Sequence, residues 1–409
     1  MTNFSVAVVG GGLGGLALAH GLRRAGITVD VYERTRERTD WLQGYRIHIN
    51  PAGAGAMHHC LPPAGWQSFL DTVSVGDGGF GFLTDQATEL IGLADDEIND
   101  PAAAPPDRHY GVSRIRLREV LLDGLDDVVH LGRELTRYEL TGDRVTAHFA
   151  DGGTATADIL VGADGANSRV RGQLLPHAHR VDTGVIAVAG RFALDGASAA
   201  DLPAALTDRA NLVVPRGRGS LFTAVWRGAG AADHAIWGFS DAADRFPADV
   251  TTLDGAALRQ VVRDRMTGWS PAFHHLVGRS DPATVHALRV RSAAPVDPWP
   301  TGRVTLLGDA IHNMTPMAGV GANTALRDAD LLRRELIAAR AGERPLVDAI
   351  GRYEREMLRY GFAAVRQSLR NAEQAAHSTA LGRAGFRTML RLTAAVPPLR
   401  RGMARRLGS

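Results

Sequence analysis

The sequence predicts an α/β fold: a Rossmann-like domain interleaved with an antiparallel-sheet domain, plus C-terminal helices. Three observations carry that expectation. The chain opens on a glycine-rich turn between an apolar strand and an amphipathic helix, in "SVAVVGGGLGGLALAHGL". Two further apolar strands end in Gly/Asp turns far downstream, in "ILVGADG" and "VTLLGDA". Between residues 180 and 290, stretches such as "VDTGVIAVAGRF", "ANLVVPRGRGSLFTAVW" and "HAIWGFS" alternate as antiparallel strands do. The expected division is a discontinuous Rossmann-like domain at 1–75, 105–178 and 284–340, and a sheet domain at 76–104 and 179–283. A helical segment at 341–409 completes it.

In the first turn, Ser5 to Val9 reads as a strand, Leu13 to Arg24 as a helix and Thr28 to Tyr32 as a second strand. Gly10, Gly12 and Gly15 match G-x-G-x-x-G. Gly10 makes the tight turn, Gly12 lets a pyrophosphate approach the backbone, and Gly15 lets helix and strand pack closely. The helix, opened by Leu13 and Gly14, offers free N–H groups to phosphate. Glu33, with Arg34 beside it, ends the second strand where a carboxylate accepts from ribose hydroxyls. Gly76, Gly78 and Gly81 repeat the spacing without a following helix, and read as a turn between strands.

The first turn alone leaves NAD and FAD open. "ADILVGADGANSRVR" adds a strand at Ile159 to Val161, then Asp164-Gly165, then Ser168 and Arg171 in a helical start. "GRVTLLGDAIHNMTPMAGVGAN" adds Gly308-Asp309 followed by Pro316, Gly319, Gly321, Ala322 and Asn323. With these motifs in this order, residues 6 to 332 resemble the group A flavoprotein monooxygenases, the family of para-hydroxybenzoate hydroxylase.

The resemblance implies a non-covalently bound FAD. Asp309 would meet the ribityl chain, and Asp164 with Gly165 would touch both FAD and the path of NAD(P)H. Arg114, in "VSRIRLREVLLDGL", matches an FAD-contacting side chain, and Arg118 lies one turn on. A helix starting near Gly321 would aim its N–H groups at the reduced, anionic flavin. Pro316 would line a ring face without an unsatisfied donor. "DWLQGYRIHIN", before a Pro-Ala-Gly turn, should form a strand near the flavin; Ile47 matches the family, whereas Arg46 is a departure, open between nicotinamide, substrate and solvent. His48 is open between a structural and a catalytic role. Phe222, Trp226 and Trp237 are candidates to line the substrate pocket.

Composition excludes other chemistries. The 409 residues are 45% apolar and 22% charged, as in ordinary globular proteins. All 46 basic residues are arginine, so Walker-type, pyridoxal and kinase lysines are impossible. A net charge of +2 is no evidence for nucleic acid, which would call for a clustered basic face. The glycine-rich N-terminal segment does not read as a signal or membrane span, so a cytoplasmic protein is expected. Cys60 has no partner for a disulfide and reads as a packing residue. His58-His59 and His274-His275 lack a second ligand pair, so no metal is expected. Arg383, Arg387 and Arg391 read as a solvated stripe opposite Phe386 and Leu390, on a helix packed on its own protein, with a membrane-surface helix as the alternative.

The expected activity is insertion of one oxygen atom from O2 into an aromatic or polyketide-like molecule, through a C4a-hydroperoxyflavin, with NADH or NADPH as transient co-substrate. Antibiotic tailoring or inactivation would suit it. An FAD oxidase or other flavoenzyme, and a non-catalytic scaffold of the same fold, are the alternatives. The halogenase motif W-x-W-x-I-P is missing.

Overall fold

A computed structural model describes residues 3–37, 46–74, 79–100, 102–196, 198–227 and 232–407. The chain divides into two compact units, Met1–Thr72 with Arg114–Val181 and Arg291–Leu369, and Val73–Ser113 with Asp182–Val290 and Arg370–Ser409.

In the first unit a five-stranded sheet runs in the order Val304–Leu306, Ile159–Gly162, Ser5–Val9, Thr28–Glu33, Val129–Leu131, and every neighbouring pair is parallel. Ser5–Val9 and Ile159–Gly162, at its middle, are almost wholly Val, Ile, Leu and Ala, as burial on both faces requires. The helix Leu13–Arg24 follows the first strand as the glycine spacing predicts, and packs on the long helix Gly321–Arg340. A small antiparallel sheet, Leu135–Thr141, Arg144–Phe149 and Thr154–Ala157, belongs to the same unit.

The second unit is built on a seven-stranded sheet: His286–Ala293, Arg180–Ala193, His234–Ala242, Ser220–Trp226, Ala210–Val213, Phe80–Leu83 and Glu89–Leu93. It is not wholly antiparallel, because Ala210–Val213 runs parallel to Phe80–Leu83. One face packs through Leu221, Val225, Trp237 and Phe239 on the helices Gly255–Arg265 and Pro271–Gly278.

Several expectations need correction. Pro51-Ala52-Gly53 is not a turn. It is the first turn of the helix Pro51–Cys60, because proline suits N1 and the Asn50 side chain accepts from Gly53 N at 3.0 Å. Gly81 lies within a strand, where a Cβ would press on Asn211 Oδ1 at 2.5 Å; Gly76 and Gly78 fall outside the described residues. The segment 341–409 is helical but is shared between the two units. Leu346–His377 buries Tyr353 and Tyr360, whereas Ala380–Ala395 buries Leu390 on the second unit's sheet. The arginine stripe is only partly solvated: Arg391 is exposed and Arg383 half-buried, but Arg387 is buried, paired with Asp85 at 3.2 Å and donating to Val214 O.

Candidate functional site

The three glycine motifs, widely spaced in sequence, meet in the first unit. Gly10 has φ +112°, and a Cβ there would overlap the Ala163 carbonyl of the second motif. A Cβ on Gly15 would overlap Gly10 O and lie 3.3 Å from Ala163 Cβ. A Cβ on Gly14 would press on Leu307 Cδ2 at 2.5 Å and Ala325 O at 3.0 Å. Gly308, at φ +64°, sits so close to Ala325 that a Cβ would come within 3.0 Å of its side chain. Gly12 differs from all of these: a Cβ there would meet nothing within 4 Å. Four glycines are used for packing, and Gly12 faces open space at the N-terminus of a helix with no side-chain cap and no acidic residue in its first turn.

Polar contacts trace a line away from this loop. The buried Glu33 accepts from Gly11 N at 2.6 Å and from Thr35 N at 2.9 Å, which fixes its carboxylate beside the loop and leaves acceptor capacity on both oxygens. Arg34 is exposed at the same strand end. Arg118, buried, donates from Nε to Gly11 O at 3.2 Å. One turn back on the helix Arg114–Leu122 lies Arg114, whose guanidinium feels the charge of Asp309.

Arg114 and Asp309 are both open to solvent yet crowded by protein, the condition of side chains lining a concavity. Burial pushes the Asp309 carboxyl above its ordinary value, with His312 and Arg114 pulling it back. Burial likewise pushes Arg114 down, with Asp309 opposing.

Beneath the Gly308-Asp309 turn is a network that sequence reading missed. Asp328, fully buried on the helix Gly321–Arg340, accepts from Gly308 N at 2.8 Å and from His312 Nε2 at 2.7 Å on one oxygen. Its other oxygen accepts from Tyr360 OH at 2.5 Å. Burial opposes charge on His312, but Asp328, the hydrogen bond to it and Asp309 outweigh burial and raise its pKa. Tyr353 OH donates to Leu306 O at 2.8 Å and secures the preceding strand. The available signal was an acid on a helix face otherwise lined by Thr324, Leu331 and Leu332, since buried acids need partners.

The remaining expected residues fall into two groups. Pro316 and Gly319 are exposed, and Gly321 and Ala322 open the helix Gly321–Arg340, whose N-cap Val320 supplies no side-chain bond. Asn323 instead faces the protein, where it accepts from Asn50 N at 2.9 Å and donates to His48 O at 2.8 Å. That pair of bonds fastens the strand Arg46–Ile49 to the helix start, with Arg46 and Ile47 half-buried and His48 exposed. Asp164 accepts from Ser168 Oγ, Arg169 N and Val170 N, so its carboxylate caps the helix Arg169–Leu174. Gly165 stands in open space at φ +76°. Arg171 donates to Ala310 O at 2.8 Å, joining the second motif to the third.

In the second unit Trp237 needs correction. It pairs with Thr223 on the helix-packed face and donates to Ser280 Oγ at 2.7 Å, so it is core and not pocket. Phe222 and Trp226, four residues apart on one strand, share the opposite face. Phe222 is 37% exposed, whereas Trp226 is buried and stacked on His234. The paired histidines have local partners: His59 meets Asp330 at 3.2 Å, His274 meets Met266 O and His275 meets Ser198 O.

The chain is similar to known FAD-binding proteins. A family described as FAD binding domain matches residues 3–368. A crystal structure of a putative FAD-containing monooxygenase from Photorhabdus luminescens superposes with a TM-score of 0.84 at 37% identity, covering 92% of this chain and 100% of that one. The 3-amino-4-hydroxybenzoate 2-monooxygenase PtmB3 of Streptomyces platensis is 30% identical over 357 residues, 85% of this chain and 83% of its own length. The dual O-methyltransferase/FAD-dependent monooxygenase elcB of Phaeosphaeria nodorum is 29% identical over 401 residues, 85% of this chain. The match spans only 42% of elcB, so the chain corresponds to less than half of that relative. A loop of packing glycines, an uncapped helix and an arginine that feels the Asp309 charge suit a flavin dinucleotide, and the chain belongs to the FAD-binding family of the group A flavoprotein monooxygenases.

Proposed function

We propose that the protein is an FAD-dependent, NAD(P)H-consuming monooxygenase that inserts one atom of O2 into an aromatic or polyketide-like small molecule. One observation carries the reading: Glu33 and Arg118 are both hydrogen-bonded to Gly11, and Arg114, one turn from Arg118, feels the charge of Asp309, so polar groups of the first and third motifs lie in one unit, as a dinucleotide would require. When bound, FAD supplies hydride acceptance from a nicotinamide and delivery of oxygen derived from O2.

The chain's own residues bind, orient and balance charge. Gly12 and the amides opening the helix Leu13–Arg24 take the pyrophosphate, and Glu33 accepts from the adenosine ribose. Asp309 takes the ribityl hydroxyls, with Arg114 beside it. The uncapped helix at Gly321 and Ala322 faces the negative charge of a reduced ring, where its dipole contributes roughly 0.3–1 kcal/mol. Small residues there let a flat ring approach the backbone, and Pro316 adds no unmet donor. Phe222, on the open face of its strand, is the proposed stacking contact for an aromatic substrate.

The test is cofactor consumption with product mass. Purified protein should be yellow and should oxidise NADH or NADPH faster when a phenolic or polyketide substrate is added, with a product heavier by one oxygen. Direct reduction of the flavin by substrate, with nicotinamide inert, would make it an oxidase instead.

A further inference from the structure

The helix Ala380–Ala395 is oriented with its polarity reversed. Arg387 faces inward, to Asp85 and Val214 O, with Leu390 beside it in the core, while Arg391 stays exposed at the flank. Its outward side is apolar. Leu381, Met389 and Leu392 are exposed there, at 83%, 44% and 57%, and Val396 and Leu399, just beyond the helix, are exposed as well. Ala384, Gly385, Thr388 and Ala395 lie between them, all exposed. The Thr388 hydroxyl donates to Ala384 O at 3.0 Å, so its donor is used within the helix. A solvated helix would place its arginines on this side and its leucines within.

Charge decides what covers this face. Residues 374–409 hold seven arginines and no acidic residue. Arg387 and Arg400 are paired, with Asp85 and Glu97. Arg391, Arg401 and Arg405 are exposed, and among the described residues none of the three makes a salt bridge. A second copy of the chain on this face would bring like charges together. A single helix face is also small for that purpose. Sixteen residues at about 1.5 Å each and about 10 Å wide give roughly 240 Å², against about 800 Å² per partner in a stable dimer. An anionic lipid surface takes apolar side chains into its acyl boundary and neutralises the flanking arginines.

We propose that the outward face of the helix Ala380–Ala395, with Leu399 and the exposed Arg391, Arg401 and Arg405, docks peripherally on an anionic lipid surface. No helix among the described residues is long and apolar enough to cross a membrane, so the attachment is interfacial and reversible.

The experiment is co-sedimentation of full-length, FAD-loaded protein with vesicles. One set is phosphatidylcholine alone, and the other contains phosphatidylglycerol at roughly one part in four. Wild type should bind the anionic vesicles at least about tenfold more tightly, and lose that preference as salt rises to about 0.5 M. Leu381→Ser with Leu392→Ser should lower binding about tenfold, flavin absorbance and circular dichroism being unchanged. Arg391→Glu with Arg401→Glu should abolish the preference for anionic lipid without disturbing the core. Equal binding by wild type and both variants, or no binding by wild type, overturns the proposal. Light scattering that shows a wild-type dimer reduced to monomer by the two serine changes also overturns it, and assigns the face to a second copy.

Discussion

Two turns in the first unit approach the same helix and are held in opposite ways. The Gly10–Gly15 loop is shaped by steric exclusion: Gly10, Gly14 and Gly15 leave no room for a Cβ against Ala163, Leu307 and Ala325. The Gly308-Asp309 turn is held by a buried carboxylate, with Asp328 gathering Gly308 N, His312 and Tyr360 onto its two oxygens. A loop held by packing needs only glycines at the right spacing. A turn held by charge needs partners that the chain delivers from elsewhere, here 20, 16 and 32 residues from Asp328.

Breaking the charged turn should have the largest effect. Asp328→Ala strands His312 and Tyr360 in a dry interior, and should cost about 3–5 kcal/mol of unfolding free energy, read by urea titration of the flavin-free protein. Gly10→Ala tests the other turn. A positive φ and the Ala163 carbonyl together predict a loss of about 2–4 kcal/mol in the same measurement. Gly12→Ala should leave that free energy within about 0.5 kcal/mol, because its Cβ meets open space, yet weaken FAD about tenfold by intruding on the pyrophosphate. Equal stability losses at Gly10 and Gly12 would erase the distinction between packing and ligand glycines.

How much of this was legible in the sequence follows the same division. The strand Ser5–Val9, the helix Leu13–Arg24 and the helix start at Gly321 stand where glycine spacing and periodicity put them. The steric rules behind those patterns act over a few residues. Asp328 gave no local sign of a partner because Tyr360 comes from another helix. Arg387 read as solvated because Asp85 lies 302 residues away, and only the folded sheet brings them together. Trp237 and Phe222 looked equivalent, since alternation fixes two faces of a strand without saying which one helices will cover. Asp164 shows a different limit. Only the folded turn shows its carboxylate spent on capping the helix Arg169–Leu174.

The charged turn should also carry a pH signature that the steric loop lacks. The pKa of His312 is raised in the folded protein, so its stabilisation is complete below the ordinary histidine value near 6.5 and is lost as pH rises through the higher native value. The melting temperature should fall on the alkaline side, and His312→Gln should flatten that limb while lowering stability overall. The smallest effect concerns Cys60, whose thiol is pushed up to about 12 by burial. Native protein at pH 8 should resist alkylation at this residue, and unfolded protein should react.

The central claim is that the two turns hold opposite ends of one FAD, and comparing ADP with FAD in the Asp309→Ala protein tests it most directly. Fluorescence titration should show FAD weakened about tenfold or more with ADP affinity unchanged, because ADP reaches only Gly12 and Glu33. Equal losses for both ligands, or FAD affinity untouched, would place Asp309 outside the flavin site and contradict the account.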